Sequence, residues 1–474
     1  MKLTLVLVSI AFWRFSSATE HPQTNLRRLT GRPTEEELDS FKKGSILKKD
    51  ANVEIEEISD GCFDVGPDEA TVSICIGDMK SVDLNAKFIV DGKHISVDPS
   101  VYSLETGDSY ILAGVKADGS ILSVIEKVKS NGKAKITEEI KPGVYGRFSS
   151  DDYDKAALSK YKYGDVMTPQ DRLLNEHLTS KERRDLVATG KYLEVSMIFI
   201  VEETACTKFG GVANAPNTMQ LILALLNDDY RLAGIQINPT IEMRCAGGDT
   251  EPYSTMVSSS RSVCGGGKNV LDAFRAAGLV DRTTYGLAHM FFDKQFGGSG
   301  VIGCAYIGAL CDLEYGAGVT NVYFTNSINL MSLVAVHELG HGFNAGHDTS
   351  ITENIMYPYI GSDISTWTLA SAQTMNSFVD NFHGSSCTAV SQTGEGVCSS
   401  SSDCEDMTGD YIMPACVGGA CRPEAPQCAA AQGECFPDNR CADWTGCNGA
   451  GGSCCCCSSL TCQKDGGRTG TCVA

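Results

Sequence analysis

His337, His341 and His347 follow one another at spacings of four and six residues, and Glu338 stands directly after the first of them. Residues four apart on a helix lie one turn apart on the same face, so the imidazoles of His337 and His341 can reach a single point. Imidazole nitrogens are common zinc ligands, and three of them leave one tetrahedral position open. A carboxylate between the first two faces that open position rather than the ligand sphere, where it can serve as general base toward zinc-bound water. The spacing therefore predicts one Zn2+ held by His337, His341 and His347, with Glu338 as the catalytic carboxylate.

These side chains need a helix that ends abruptly. From Ser327 to Phe343, Leu330, Leu333, Val334 and Leu339 recur at helical spacing, so one stripe can face a core while the histidines face a cleft. The helix must stop near Asn344 for His347 to turn back to the metal, and Asn tolerates positive φ better than any residue except Gly. Gly342 and Gly346 add backbone freedom on either side. Downstream, Asn354-Ile355-Met356-Tyr357-Pro358 places a thioether that is a poor zinc ligand beside three imidazoles. Met356 is thus expected to be structural, in a turn beneath the zinc, and Tyr357 and Tyr359 to line the cleft.

The run from His337 to His347 resembles the extended H-E-x-x-H-x-x-G-x-x-H pattern of metzincins, with Asn344 where the pattern has Gly. Asp348 after the third histidine, with the later Met-Tyr-Pro, is similar to the reprolysin (adamalysin, or ADAM-like) branch. Lys191 to Val201 looks like that family's first strand, and Gly303 to Cys311 looks like its substrate-binding edge strand. The resemblance covers residues 190 to 390. It implies a zincin catalytic domain of the α/β (α+β) class, with a mixed, mostly parallel sheet and an active-site helix beneath it. Helical patterns at Thr218 to Tyr230, Lys268 to Ala277 and Ala370 to Phe382 agree with that class. It also implies a zinc metalloendopeptidase whose extended protein or peptide substrates add a strand to the edge through main-chain hydrogen bonds. By the same resemblance Cys311 pairs with Cys387. Gly286 stands where many members have an aspartate, which leaves a family Ca2+ site without that ligand.

At 474 residues the chain exceeds what one core usually organises, and its 22 cysteines point to an oxidising compartment. A formal charge of −20 argues against nucleic acid or an anionic membrane as main partner. Lys2, the apolar run Leu3 to Trp13 and the small residues Ser16-Ser17-Ala18 read as a signal peptide over residues 1–18. The run is too short to span a bilayer, and no later stretch reaches about 18 apolar residues, so a secreted, extracellular protein without a membrane span is expected.

Residues 19–184 read as a β-rich propeptide, with strands at Ser109 to Val115 and Ser120 to Ile125. The propeptide ends in Lys181-Glu182-Arg183-Arg184, a basic cluster like those cut by proprotein convertases, which makes Arg184 the processing position and 185–390 the catalytic domain. Latency of such a zymogen can come from a prodomain thiolate on the zinc, for which Cys62 and Cys75 are the candidates, but two cysteines 13 apart can simply bond to each other, the favoured reading. The catalytic region carries Cys206, Cys245, Cys264 and Cys304 besides Cys311 and Cys387, and those four allow three pairings.

Residues 391–474 hold 14 cysteines between Cys398 and Cys472 and few apolar residues, so disulfides must hold this domain together. It could bind substrate or another extracellular ligand. Two rival functions stand beside the peptidase. One is a non-catalytic binding or adhesion protein that uses this cysteine-rich domain, against which an intact Glu338 argues. The other is hydrolysis of a non-peptide amide, against which the edge strand argues.

Overall fold

A computed structural model describes residues 32–58, 61–65, 72–106, 109–128, 133–167, 193–246, 252–257, 261–265, 269–281, 283–296, 300–350, 354–361, 367–382 and 388–390, with short strands beyond them. Most strands of the 19–184 segment are antiparallel neighbours in sequence. They are β1 (Glu54–Glu57), β2 (Cys62–Val65), β3 (Val72–Cys75), β4 (Lys80–Ser81), β5 (Lys87–Val90), β6 (Lys93–Ile95), β7 (Val101–Glu105), β8 (Ser109–Val115), β9 (Ile121–Val128), β10 (Ala134–Lys141), β11 (Val144–Ser149) and β12 (Lys162–Met167). Seven form one sheet in the order β1-β11-β10-β9-β8-β7-β4. Successive side chains of a strand point to opposite faces, and both faces of this sheet are used. Ile111, Ala113, Val124 and Tyr145 pack on Phe63, Val65 and Ile74 of the β2–β3 hairpin. Leu112, Ile125, Ile136 and Phe148 face the main core instead.

A second sheet has nine strands. Residues 193–390 supply β13 (Leu193–Val201), β14 (Ile235–Met243), β15 (Leu287–Phe292), β16 (Val301–Ile307), β17 (Ala317–Asn321) and β18 (Thr388–Val390). The order is β12-β16-β17-β15-β13-β14-β5-β6, with β18 also on β13. Pairing is parallel except for β16–β17, β5–β6 and β18–β13. This is the mixed, mostly parallel sheet expected, and its inner strands are continuous apolar runs because both faces are covered. Every residue of β15 is buried. Three strands of the 19–184 segment, β5, β6 and β12, belong to this sheet rather than to the antiparallel one.

Helices Gly211–Arg231 and Ile328–Gly342 pack against each other and against the strands. The first begins a full turn and more before the expected Thr218, and it accommodates Pro216 among buried neighbours. Strand β16 ends at Ile307, short of the expected Cys311. Its continuation is taken by the histidine helix, whose last carbonyls accept from Gly308 N (His341 O, 2.8 Å) and Leu310 N (Gly342 O, 3.1 Å). The expected helices near 270 and 370 are Val270–Ala277 and Leu369–Asp380.

Residues Pro33–Ala474 form one compact unit, and a single apolar cluster joins Leu112, Phe148 and Tyr153 to Leu221, Leu225 and Val334. Polar ties cross the same boundary. Gln220 accepts from Ser100 N and donates to Asp98 O, and Asn217 donates to Val115 O. Beyond β18, strands β19 (Met413–Val417) and β20 (Ala420–Glu424) pair, as do β21 (Glu434–Cys435), β22 (Thr461–Lys464) and β23 (Gly470–Val473) around a central β23. Among the described residues no helix is long and apolar enough to cross a membrane.

Candidate metal centre

All residues of the helix Ile328–Gly342 are buried, and Ser327 makes no side-chain cap to it. The orphan N–H at its start is met from another segment: Glu138 on β10 accepts from Ile328 N at 3.2 Å and from Ser327 Oγ at 2.8 Å. At the other end Asn344 takes φ 73°, while Asn344 N donates to His341 O and Ala345 N to Gly340 O. The expected sharp stop is therefore present, made with Asn in the left-handed region. It carries the chain back so that His347 faces the helix.

One ligand nitrogen from each of His337, His341 and His347 lies within 4.8 Å of the others. His337 Nδ1 is 2.5 Å from Ile355 O, and His341 Nδ1 is 2.8 Å from Ala345 O. A carbonyl can only accept, so both Nδ1 atoms carry the proton. The two Nε2 lone pairs then face each other across 3.0 Å, a repulsive arrangement that a shared cation converts into ligation. His347 Nε2 is buried with no hydrogen-bond partner.

Burial, followed by the neighbouring imidazoles, holds His337 far below the usual histidine range; burial and His347 bring His341 down to about 4. Burial also lowers His347. All three are thus neutral at physiological pH, the form that binds a metal. Both oxygens of buried Glu338 lack a partner, and burial, reinforced by Asp165, pushes its carboxyl well above the ordinary range. The carboxylate fits only because residue 303 is Gly: a Cβ there would lie 2.3 Å from Glu338 Oε1. Three neutral nitrogens beside an unpartnered carboxyl suit a zinc ion with one position left for chemistry.

Residues 247–348 match the family model described as metallo-peptidase family M12B, reprolysin-like. A zinc metalloproteinase-disintegrin-like protein of Cerberus rynchops is 24% identical over 182 residues, covering 37% of this chain and 27% of its own length. Snake venom metalloproteinase atroxlysin-1 of Bothrops atrox is 32% identical over 82 residues, covering 17% of this chain and 40% of its own. Over these stretches the chain is similar to reprolysin-like metallopeptidases. It spans about a quarter and two fifths of the two relatives' lengths. Among solved structures, metalloproteinase-II from Bacteroides fragilis aligns over 66% of this chain and 88% of its own at 11% identity, with a TM-score of 0.37.

Beyond the matched stretch Met356 is fully buried, and the preceding Ile355 supplies the carbonyl that fixes His337. Asp348 locks this turn, its N–H donating to Met356 O at 2.8 Å and its carboxylate accepting from Thr368 Oγ1 at 2.7 Å. Of the three pairings open to four cysteines, the domain has Cys206–Cys245 and Cys264–Cys304. Cys311 is also disulfide-bonded, while Cys387 lies outside the described residues, as do Arg184 and the expected signal peptide. Cys62 and Cys75 are bonded to each other across β2 and β3, so neither offers a free thiolate to the zinc. Another buried histidine, His289, is a core residue: it pairs with Thr320 at 2.9 Å, and burial takes its pKa down to about 3.

Two site neighbours escaped the sequence reading. The ring of Tyr163 stacks on His337 with centroids 3.6 Å apart, and Asp165 Oδ2 lies 3.5 Å from His347 Nδ1. Both belong to β12, more than 170 residues before the motif, and no spacing rule connects them to it.

Proposed function

We propose that the chain is a secreted zinc metalloendopeptidase made as a zymogen, with His337, His341 and His347 as the ligands of one Zn2+. The observation that carries this is the opposed pair of proton-free Nε2 atoms beside an unpartnered, buried Glu338. Zinc bound there would acidify a water molecule and polarise the scissile carbonyl. Glu338 accepts the proton of the attacking water and returns it to the leaving amine as the C–N bond breaks. Gly303 leaves the room in which that carboxylate sits. The backbone of β16 aligns an extended substrate by strand addition, which favours peptides over other amides. Met356 and the turn held by Asp348 keep the third ligand in place.

Secretion rests on residues 1–18 and the cysteine content, and activation on cleavage after Arg184. The Cys311–Cys387 pairing and an extracellular ligand for residues 391–474 complete the reading. The test is cleavage of a random peptide library by the processed protein, with and without a chelator, beside Glu338→Gln. Cleavage that the chelator abolishes and Glu338→Gln reduces by about a hundredfold or more is expected. Zinc bound with no cleavage of any peptide would instead favour a non-catalytic binding protein.

A further inference from the structure

Strand β16 carries a disulfide on the face turned away from the histidine helix. Gly303 lies against Glu338, and successive residues of a strand alternate between faces, so Cys304 points the other way, where it is bonded to Cys264. Cys264 is not free to move aside. Its sulfur is tied to the fully buried Cys304, and Val263 beside it is fully buried as well. Ser262 bridges to Asn269, and its carbonyl accepts from Val270 N at 2.9 Å.

The strand paired with β16 shows what this disulfide does to a neighbour. Opposite Cys304 stands Gly164, where a Cβ would lie 2.8 Å from Cys264 Sγ and 2.9 Å from Cys264 Cβ. Atoms held in a packed framework do not approach so closely, and any residue but glycine would push the strand off the edge. The restriction is confined to one position. Tyr163 opposite Gly303 and Asp165 opposite Ala305 carry full side chains, which point to the other face. Directly opposed residues of two paired strands share a face, so an extended chain added to β16 meets the same obstacle at Cys304.

We propose that the Cys264–Cys304 disulfide determines specificity by restricting the substrate residue paired with Cys304 to glycine, which makes extended glycine-containing peptides the substrate class. This rests on the peptidase reading above and on strand addition to β16. Because Gly303 is adjacent to Cys304 and lies against Glu338, the glycine stands within about two residues of the bond that is cut.

The test reads the products of a random peptide library by mass spectrometry, position by position, after treatment with the processed protein. Wild type should show glycine at one fixed position near every cut bond, and replacing that glycine by alanine in a single peptide should lower kcat/KM by about tenfold or more. Two paired variants remove both obstructing atoms of residue 264: Cys264→Gly with Cys304→Ala, and Cys264→Gly with Cys304→Val, which refills the core. In whichever of them folds, the same replacement should lower kcat/KM by less than about threefold. Cleavage with no fixed glycine in the wild-type profile would overturn the proposal, whether or not a variant folds, and leave the peptidase standing. A folded variant that keeps the wild-type discrimination would overturn it too. No cleavage of any peptide would overturn the peptidase reading and this proposal together.

Discussion

Asn344 sits at φ 73° at the point where the histidine helix ends and the chain reverses toward His347. A side chain with a Cβ pays for that conformation, least for Asn and most for a β-branched residue. Asn344→Gly should therefore leave zinc affinity and stability within about 1 kcal/mol of the wild type, and Asn344→Val should lose about 1–2 kcal/mol with weaker zinc retention. Equal melting temperatures and zinc content in the two variants would show that the turn does not set the position of His347. At this scale the sequence was legible wherever function depends on local spacing. His337 and His341 share one helix face with Glu338 beside them, and the position of Asn344 relative to His347 forecast the reversal. Asp165 and Tyr163 were not legible, because what brings them to the site is strand pairing across the cleft.

Glu138 caps, from another sheet, the helix that carries His337, Glu338 and His341. Burial pushes its carboxyl up to about 7, with the hydrogen bonds from Ser327, Ile328 and Ser45 opposing that rise. A carboxyl raised in the folded state favours folding fully below its unfolded pKa, and that contribution disappears as pH climbs through the folded value. The contact between β10 and the helix should thus be strongest below about pH 4.5 and weaken up to and beyond about pH 7, by about 3 kcal/mol at most. Urea unfolding of the unprocessed chain across this range should show the decline in the wild type and a flatter profile in Glu138→Gln. Parallel profiles would assign the pH dependence elsewhere. The sequence located the strands and helices by their periodicity, but it missed where β16 stops. That end is decided by Gly308 and Leu310 donating to the last carbonyls of the helix, a tertiary contact with no local signal.

The apolar cluster runs without interruption from the antiparallel sheet into residues 193–382, and Lys127 of β9 pairs with Asp228 and Asp229 across the same boundary. The basic cluster that ends at Arg184 lies outside the described residues, and the boundary drawn there from composition does not mark separate cores. Residues 185–474 made alone would expose Leu221, Leu225 and neighbours that Leu112 and Phe148 cover. That fragment should be recovered mainly as aggregate, and co-expression with residues 19–184 as a separate chain should restore soluble protein that binds zinc. Soluble, zinc-loaded fragment without the first part would show that residues 185–474 fold unaided.

The nine-stranded sheet is bordered at one end by β12 and at the other by the β5–β6 pair, both contributed by residues before 184. Departure of that segment would bare two rims at once, one along β16 and one at the opposite end of the sheet. The remote rim along Thr240–Met243 would present unpaired main-chain donors and acceptors to any passing strand, including one from a second copy. Activation would then carry a colloidal cost. The remaining chain would be tacky on the side away from the three histidines, and its lifetime in solution would depend on dilution.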